Sequence, residues 1–185
     1  QAGVVLANGS MSSNTSNESK IREEMIKGDV VDVIIELPDK LFLNTGIPVC
    51  LWFLTNDKTV NGRERKNETL FIDARNLGTM KTRALKVLTD EDIHKIENTV
   101  SKWRKGEEYQ DIEGFCKSCS TEDIEKNSYV LTPGRYVGFA DEKYDTVPFA
   151  VKIEGLISQY RAIGDDSEKL NKSINKTLKD LFENE

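Results

Sequence analysis

Two short apolar runs, residues 30–37 and 49–54, stand on either side of a loop that contains two prolines and a glycine. Both runs are rich in β-branched or aromatic residues and are bounded by helix breakers, a pattern that indicates buried strands. The loop, residues 38–48, is longer than a tight hairpin and carries Phe42 between two leucines. Apolar side chains are costly to leave in water, so we expect them to pack on the core or to bind a ligand. This loop is therefore the first candidate for a functional site.

The pattern before these runs predicts a strand at residues 3–7 and a helix at residues 18–27 that stops at Gly28, with Ile21, Met25 and Ile26 on its apolar side. Strand, helix, strand, loop and strand is the order typical of an α/β sheet. We expect the first two strands to be parallel through the crossover helix, and the third to be antiparallel. A further short strand is predicted at residues 69–73. So small a sheet is interpreted as the edge of a larger one, because nothing earlier covers its first strand.

The second half of the chain is predicted to be mainly helical. Thr89 and the acidic residues after it begin a helix well, because they cap it and complement its dipole. The face of this helix that is expected to pack on the core consists of Ile93, Ile96, Val100 and Trp103. Thr121 is expected to cap a short helix at residues 122–126. Residues 129–138 are predicted to be a strand or an extended stretch broken by a Pro-Gly turn.

The last section, residues 147–182, is predicted to be helical with a break at Gly164. It carries two apolar stripes on a charged background, and the second is narrow, close to coiled-coil spacing. The stripes are Phe149, Ile153, Leu156, Ile157, Tyr160 and Ile163, then Leu170, Ile174, Leu178 and Leu181. A narrow apolar seam on a charged helix is expected to dock on another helix, either a neighbour or a partner chain.

The composition is polar for a globular protein, with 31% charged residues and a net charge of −6. A free-standing nucleic-acid binder is usually basic, so the overall charge argues against that class. No apolar run approaches the ~20 residues of a membrane span, and no signal peptide is visible. We therefore expect a cytoplasmic protein that does not bind a membrane.

Residues 58–86 reverse this charge balance, because eight basic residues oppose three acidic ones and give a local charge of +5. Two interpretations stay open, a solvated surface and a patch that contacts the phosphate backbone of DNA. The candidates for backbone contact are Lys58, Arg63, Arg65, Lys66, Arg75, Lys81 and Arg83.

Cys116 and Cys119 form a single C-x-x-C pair, and Cys50 lies inside an apolar strand. A structural zinc site needs about four ligands, and only Cys50 and His94 remain to complete one. Neither has the paired spacing of a zinc ribbon. Reduced thiols without a metal or redox role are the favoured interpretation, and no metal site is assigned.

Five segments of the chain resemble a known family. They are Leu-Ala-Asn-Gly-Ser-Met-Ser-Ser (6–13), Leu-Phe-Leu-Asn-Thr-Gly-Ile-Pro-Val-Cys-Leu-Trp-Phe-Leu (41–54), Phe-Ile-Asp-Ala-Arg-Asn-Leu-Gly (71–78), Gly-Phe-Cys-Lys-Ser (114–118) and Leu-Thr-Pro-Gly-Arg-Tyr-Val-Gly (131–138). In this order they resemble the modification subunit of type I restriction–modification systems. The resemblance implies an N6-adenine DNA methyltransferase that uses S-adenosylmethionine and works with a specificity subunit, a restriction subunit and DNA.

The family places a glycine-rich donor loop and an Asn-Pro-Pro-Phe/Tyr catalytic motif upstream of these segments, and this sequence contains neither. The resemblance therefore implies the C-terminal part of a Rossmann-like methyltransferase sheet, a mixed sheet with one antiparallel strand, followed by a helical tail. Its expected parts are residues 1–88 of the catalytic domain, a connecting region at residues 89–146 and docking helices at residues 147–185. The isolated chain is expected to bind no S-adenosylmethionine, to contain no catalytic residue and to be inactive.

The resemblance also assigns a role to the loop at residues 38–48. In related enzymes an aromatic residue of this loop packs on the flipped target base, and Phe42 occupies that position; the alternative is that Phe42 fills the core. Asn44, Thr45 and Gly46 shape the same loop and are weaker candidates for base contact. The terminal helices are implied to dock on coiled-coil helices of the specificity subunit.

A different class of protein remains as an alternative, a non-catalytic interaction module or adaptor. The two hypotheses differ in the strand at residues 3–7, which is an exposed sheet edge in a part of a larger sheet and a covered edge in a self-sufficient module. An exposed apolar edge also favours pairing between copies, so a homodimer of the isolated chain is predicted.

Overall fold

A computed structural model describes residues 1–60, 62–139 and 149–182. Its strands are β1 (Ala2–Ala7), β2 (Val31–Glu36), β3 (Val49–Leu54), β4 (Glu68–Asp73), β5 (Thr79–Met80), β6 (Lys86–Val87) and β7 (Cys116–Ser120). Its α-helices are α1 (Glu18–Lys27), α2 (Asp90–Lys105), α3 (Thr121–Lys126) and α4 (Phe149–Phe182), with short 3-10 turns at Asn8–Met11, Thr15–Asn17 and Pro133–Arg135. The chain divides into two compact units, residues 1–142 and residues 143–185. No described helix is long and apolar enough to cross a membrane.

The first unit contains a mixed five-stranded sheet in the order β1-β3-β2-β4-β7. Strand β3 lies between β1 and β2 and is antiparallel to both, while β2 and β4 are parallel. The predicted strands and the crossover through α1 are confirmed, since β1 and β2 run in the same direction. The prediction of one antiparallel strand is wrong, because β7 is also antiparallel to its neighbour β4. The sequence of β7, Cys-Lys-Ser-Cys-Ser, has none of the β-branched or aromatic residues that mark strands.

Both faces of the sheet carry a core. On one face, Phe71 of β4 stacks on Tyr136 with ring centroids 4.1 Å apart, beneath α1, α3 and the 129–137 segment. On the other face, Trp103 of α2 is completely buried against β4. The remaining described core positions include Val31, Ile34, Trp52, Ile124 and Leu131 on the first face, and Val33, Ile35, Leu70, Ile72 and Phe115 on the second.

The helices differ from their predictions in detail. Helix α2 has the predicted Thr89 cap, as part of a capping box with Asp92, but Ile93 on its predicted core face is half exposed. Helix α3 is capped by Ser120, one residue earlier than predicted. In α1, Ile21 is 55% exposed and Arg22 is buried, because the guanidinium donates to backbone oxygens of Ser13 and Tyr129.

The prediction for residues 129–138 left a strand and an extended stretch open, and the structure has no strand there but an extended Thr132 before the turn at Pro133–Arg135. One further prediction is wrong. Helix α4 is continuous through Gly164, where a break was predicted. A glycine inside a helix costs about 1 kcal/mol relative to alanine but removes no backbone hydrogen bond. The side chains of Phe149 and Leu181 from the predicted stripes lie outside the described residues.

Strand β1 is an uncovered edge of the sheet. Within the described residues it pairs only with β3, and all six of its residues are exposed. Three of them, Val4, Val5 and Leu6, are large and apolar. This is the arrangement expected for part of a larger sheet, and it disfavours a self-sufficient interaction module.

Candidate functional site

Strands β1, β2 and β4 end on the same edge of the sheet, because they run in the same direction. The loops that follow them, residues 8–13, 37–48 and 74–89, therefore begin at that edge. In open α/β sheets, ligands bind outside the carboxyl ends of the strands. The predicted functional loop is one of these three.

The loop at residues 38–48 presents an aromatic side chain to solvent. Leu41 packs against the core, whereas Phe42 is 46% exposed and Leu43 85% exposed. A backbone bridge between Phe42 and Thr45 closes a tight turn, and the Thr45 hydroxyl accepts from the Ile47 amide at 3.2 Å. The core role considered for Phe42 is therefore taken by Leu41, and Phe42 is available for contact.

A polar cluster lies at the carboxyl ends of the strands, where this loop begins. Asn8 donates from Nδ2 to Glu36 Oε1 at 2.7 Å, and Arg75 donates to both carboxylate oxygens of Asp73. The Arg75 Nε lies 3.7 Å from Glu36 Oε2. Gly134 permits this approach, since a Cβ there would lie 3.1 Å from the Arg75 guanidinium. The cluster joins the ends of β1, β2 and β4 to the turn at Pro133–Arg135.

Burial raises the pKa of Glu36, and Asp73 adds to the rise while Arg75 opposes it. Sequence reasoning missed Asn8, Glu36 and Asp73. The available signal was a polar residue at the end of each predicted strand.

A small hairpin made by β5 and β6 adjoins the loop. The Lys86 amide donates to the Lys40 carbonyl at 2.8 Å, and Lys86 Nζ lies 3.5 Å from Asp39 Oδ1. Lys81 and Arg83 lie in its turn and are exposed, and neither has a carboxylate within 4 Å among the described residues. Two predicted DNA-backbone residues are thus placed beside the predicted base-contact loop.

The predicted basic residues before β4 lie at the opposite, amino end of that strand. Lys58 is buried, with its ammonium 2.6 Å from Asp29 Oδ1. Arg65 is completely buried beside Asp32, which also accepts from Arg104 at 2.8 Å. Placing Lys58 and Arg65 in a surface patch was wrong, because their charges are satisfied inside the protein.

Three more of the predicted patch residues are paired with carboxylates. Arg63 forms a two-pronged pair with Glu68, and this contact is the main cause of the lowered pKa of Glu68. Lys66 is exposed and lies 3.3 Å from Glu64. Arg75 is half exposed but paired with Asp73. The segment at residues 58–86 is therefore not one continuous phosphate-binding surface.

Cys116 and Cys119 lie on strand β7, where residues three apart face opposite sides of the sheet. Cys116 belongs to one core layer and Cys119 to the other, so they cannot share a metal or a disulfide. Burial raises the pKa of both thiols, that of Cys119 to about 12. No group of three or more potential metal ligands is found among the described residues.

The sequence model of N-6 DNA methylases matches residues 1–145, most of the chain. The chain therefore belongs to the N-6 DNA methylase family.

Within that family its relatives are type I methylase subunits. The chain is 46% identical over 175 residues to the HindI methylase subunit of Haemophilus influenzae, a match that covers 95% of this chain and 38% of the relative. It is 38% identical over 180 residues to the MjaIX methylase subunit of Methanocaldococcus jannaschii, and this match covers 96% of this chain and 31% of the relative. The chain thus spans about a third of the length of these relatives.

Solved structures agree with this assignment. The type I methyltransferase subunit of Streptococcus thermophilus superposes with a TM-score of 0.61 at 32% identity, over 73% of this chain and 26% of that one. The M protein of the EcoKI enzyme superposes with a TM-score of 0.56 at 16% identity, over 85% of this chain and 38% of that one, which shows a shared fold.

Proposed function

We propose that this chain is the C-terminal part of the modification subunit of a type I restriction–modification system. In the intact subunit it contributes to methyl transfer from S-adenosylmethionine to the N6 atom of adenine in DNA. The observation that carries the proposal is the 46% match to a type I methylase subunit along 95% of this chain. The proposed location is the cytoplasm, where the DNA is.

The uncovered edge at β1 supports the proposed C-terminal position. Helix α1 crosses from β1 to β2 on the face that carries Val4 and Leu6. Crossovers between parallel strands are right-handed, so a preceding strand beyond β1 would place its helix on this same face. An apolar groove there is lined by Val4, Leu6, Ile21, Met25 and Leu54. An upstream strand and helix, completing a Rossmann-like sheet, would cover both the edge and the groove.

The methyl donor belongs to the upstream part of the subunit. A nucleoside-containing cofactor such as the methyl donor is usually held by a glycine-rich turn between a strand and a helix. None of the three described loops at the carboxyl ends contains such a turn. The described residues therefore do not fit the donor, and the isolated chain is proposed to be inactive.

Phe42 is proposed to contact the target base. An enzyme that modifies a base takes it out of the duplex, and stacking on an aromatic ring offsets part of that cost. The exposed ring, held by the Phe42–Thr45 bridge, is suited to this role. Asn44, Thr45 and Gly46 shape the turn and are proposed as weaker contacts with the base or its backbone.

Helix α4 is proposed to dock on helices of the specificity subunit, which selects the DNA sequence, in a complex that also includes the restriction subunit. Its described apolar side chains between Val151 and Leu178 are exposed and form stripes along the helix. A helix with a narrow apolar seam is stabilised by packing on another helix. The helix alone does not identify that partner.

The isolated chain is also proposed to pair with a second copy through β1. Edge strands with free backbone groups and apolar side chains favour such pairing. Sedimentation equilibrium is expected to show dimers that Val5→Lys converts to monomers. A wild-type chain that stays monomeric across a wide concentration range would contradict this.

Methyl transfer from labelled S-adenosylmethionine to DNA tests the function. We expect no activity from the chain alone, and activity after mixing with the upstream part and a specificity subunit. Phe42→Ala should lower that activity by roughly 5- to 150-fold, the equivalent of about 1–3 kcal/mol of lost stacking. Leu43→Ala is the matched control, because Leu43 is more exposed but not aromatic.

The outcomes separate the proposals. Activity from the chain alone contradicts the C-terminal assignment, and no activity in a folded, complete mixture contradicts the proposed function. Equal losses in Phe42→Ala and Leu43→Ala would reject a stacking role for Phe42.

A further inference from the structure

We propose that the hairpin at residues 79–87, called the basic hairpin, binds backbone phosphates of the DNA strand from which the target base is flipped. This inference rests on the proposed function and adds a partner surface to the base-contact loop. Its exposed cations are Lys81 and Arg83, which lie in the turn of the hairpin.

The hairpin is a defined structure with several anchors. The Lys81 and Thr82 amides donate to the Leu85 carbonyl at 2.9 and 3.2 Å, and the Thr82 hydroxyl accepts from the Leu85 amide. At its base, the Gly78 amide donates to the carboxylate of Asp92 at 3.1 Å. The backbone under the two cations is therefore pre-organised, which lowers the entropy lost when they bind a ligand.

Gly78 allows the hairpin to close. Its φ of +86° lies in the left-handed region, and a Cβ there would meet the Val87 carbonyl at 3.0 Å. Only glycine fits both conditions without strain.

The hairpin and the base-contact loop form one surface. The Lys86 amide donates to Lys40 on that loop, and the Lys86 ammonium lies beside Asp39. The cation nearest to the loop is thus neutralised by a carboxylate, while the charges of Lys81 and Arg83 remain available.

A phosphate backbone is the ligand that this surface fits. The loop offers an exposed aromatic ring, Phe42, of the kind on which a base packs, and the hairpin beside it offers cations. Phosphates adjacent to a flipped nucleotide pass close to the pocket that holds its base. Cations contribute affinity that is independent of sequence, because they displace condensed counterions. The acidic first turn of α2 at the base of the hairpin restricts the phosphate contact to its turn.

The test measures DNA binding by the full-length subunit assembled with its partner subunits, as a function of salt. Each lost phosphate contact reduces the slope of log K against log salt by about 0.7–0.9. Lys81→Gln/Arg83→Gln should therefore reduce the slope by about 1.4–1.8 and weaken binding to all sequences alike. The matched control is Lys66→Gln/Lys105→Gln, which removes two exposed cations near the amino end of β4.

An unchanged slope in Lys81→Gln/Arg83→Gln, with normal binding by the wild type, overturns the basic hairpin and leaves the proposed function intact. An equal reduction in the control also overturns it, because the effect would then be one of net charge. A wild-type assembly that does not bind DNA overturns both proposals. The two variants should unfold at the same temperature as the wild type, so a loss of binding is not a loss of folding.

Discussion

Strand β4 has similar basic residues at its two ends, and the two groups differ in what surrounds them. At the amino end, Lys58 and Arg65 are buried against Asp29 and Asp32. At the carboxyl end, Lys81 and Arg83 are exposed on a hairpin and have no described carboxylate partner. The same residue types form buried ion pairs at one end of the strand and exposed cations at the other.

The difference shows what a local excess of charge in a sequence means. A cation that meets a buried carboxylate contributes to the fold, because an unpaired charge in the interior is strongly unfavourable. A cation without such a partner remains available to a ligand. The local charge of +5 is the same in either case.

The largest expected effect is at the amino end. Asp32→Asn removes the charge partner of Arg65, which is completely buried, and also that of Arg104. Breaking a buried ion pair costs about 3–5 kcal/mol, and we expect the free energy of unfolding to fall by that amount. Urea unfolding measures it, with the exposed Lys66→Gln as a control that changes by less than about 0.5 kcal/mol. A loss below 1 kcal/mol for Asp32→Asn would contradict the comparison.

A smaller effect is expected at Glu68, also at the amino end. The contact with Arg63 lowers the pKa of Glu68 below its ordinary value of 4.5. Its contribution to stability is therefore present above pH 4.5 and lost as pH falls through the lowered pKa. Glu68→Gln should reduce stability by about 1 kcal/mol at neutral pH, a value discounted for its partial exposure. Melting temperatures measured from pH 3 to 8 should show that the difference between Glu68→Gln and the wild type becomes smaller in acid.

At the carboxyl end the pH dependence is expected to be opposite and weaker. Burial raises the pKa of Glu36 above 4.5, so its contribution to stability is present below pH 4.5 and lost as pH rises through the raised pKa. Glu36→Gln removes the titrating carboxyl group and with it the loss of stability at higher pH. The glutamine amide oxygen can still accept the hydrogen bond from Asn8. The variant should gain stability relative to wild type at neutral pH, and the gain should vanish in acid. The same series of melting temperatures checks it, and a gap that widens in acid would be the contrary result.

The smallest effect is expected for Lys81→Gln/Arg83→Gln. Both side chains are exposed and make no described ion pair, so their removal should change the free energy of unfolding by less than about 0.5 kcal/mol. Urea unfolding of this double variant and of Asp32→Asn, measured side by side, compares the two ends of the strand directly. A loss above 1 kcal/mol would mean that the hairpin cations also stabilise the fold.

Much of the central sheet was predictable from the sequence. The apolar runs of β2, β3 and β4 are rich in β-branched or aromatic residues, and the length of the loop between β2 and β3 favours an antiparallel return. The Thr89 cap of α2 was readable for a similar reason, since capping depends on residues three positions apart. These features depend on neighbours in the chain.

Other features could not be read in this way. Strand β7 forms because β4 offers it an edge, although its own residues have no strand pattern. Arg22 is buried because distant backbone oxygens accept its hydrogen bonds, despite the polar pattern of its helix. In α4 the sequence around Gly164 suggested a break, but no residue there removes a helical hydrogen bond.

The sequence by itself determined the family, the strands β1 to β4 and the position of Phe42 in a loop, because each of these depends on local pattern or on motifs. Only the tertiary structure decided which charges are buried and which are free. Asp32 meets Arg65 and Arg104, which lie 33 and 72 positions further along the chain. The energy of a charge depends on its burial and its partners, and for this protein both are set by segments that are distant in sequence.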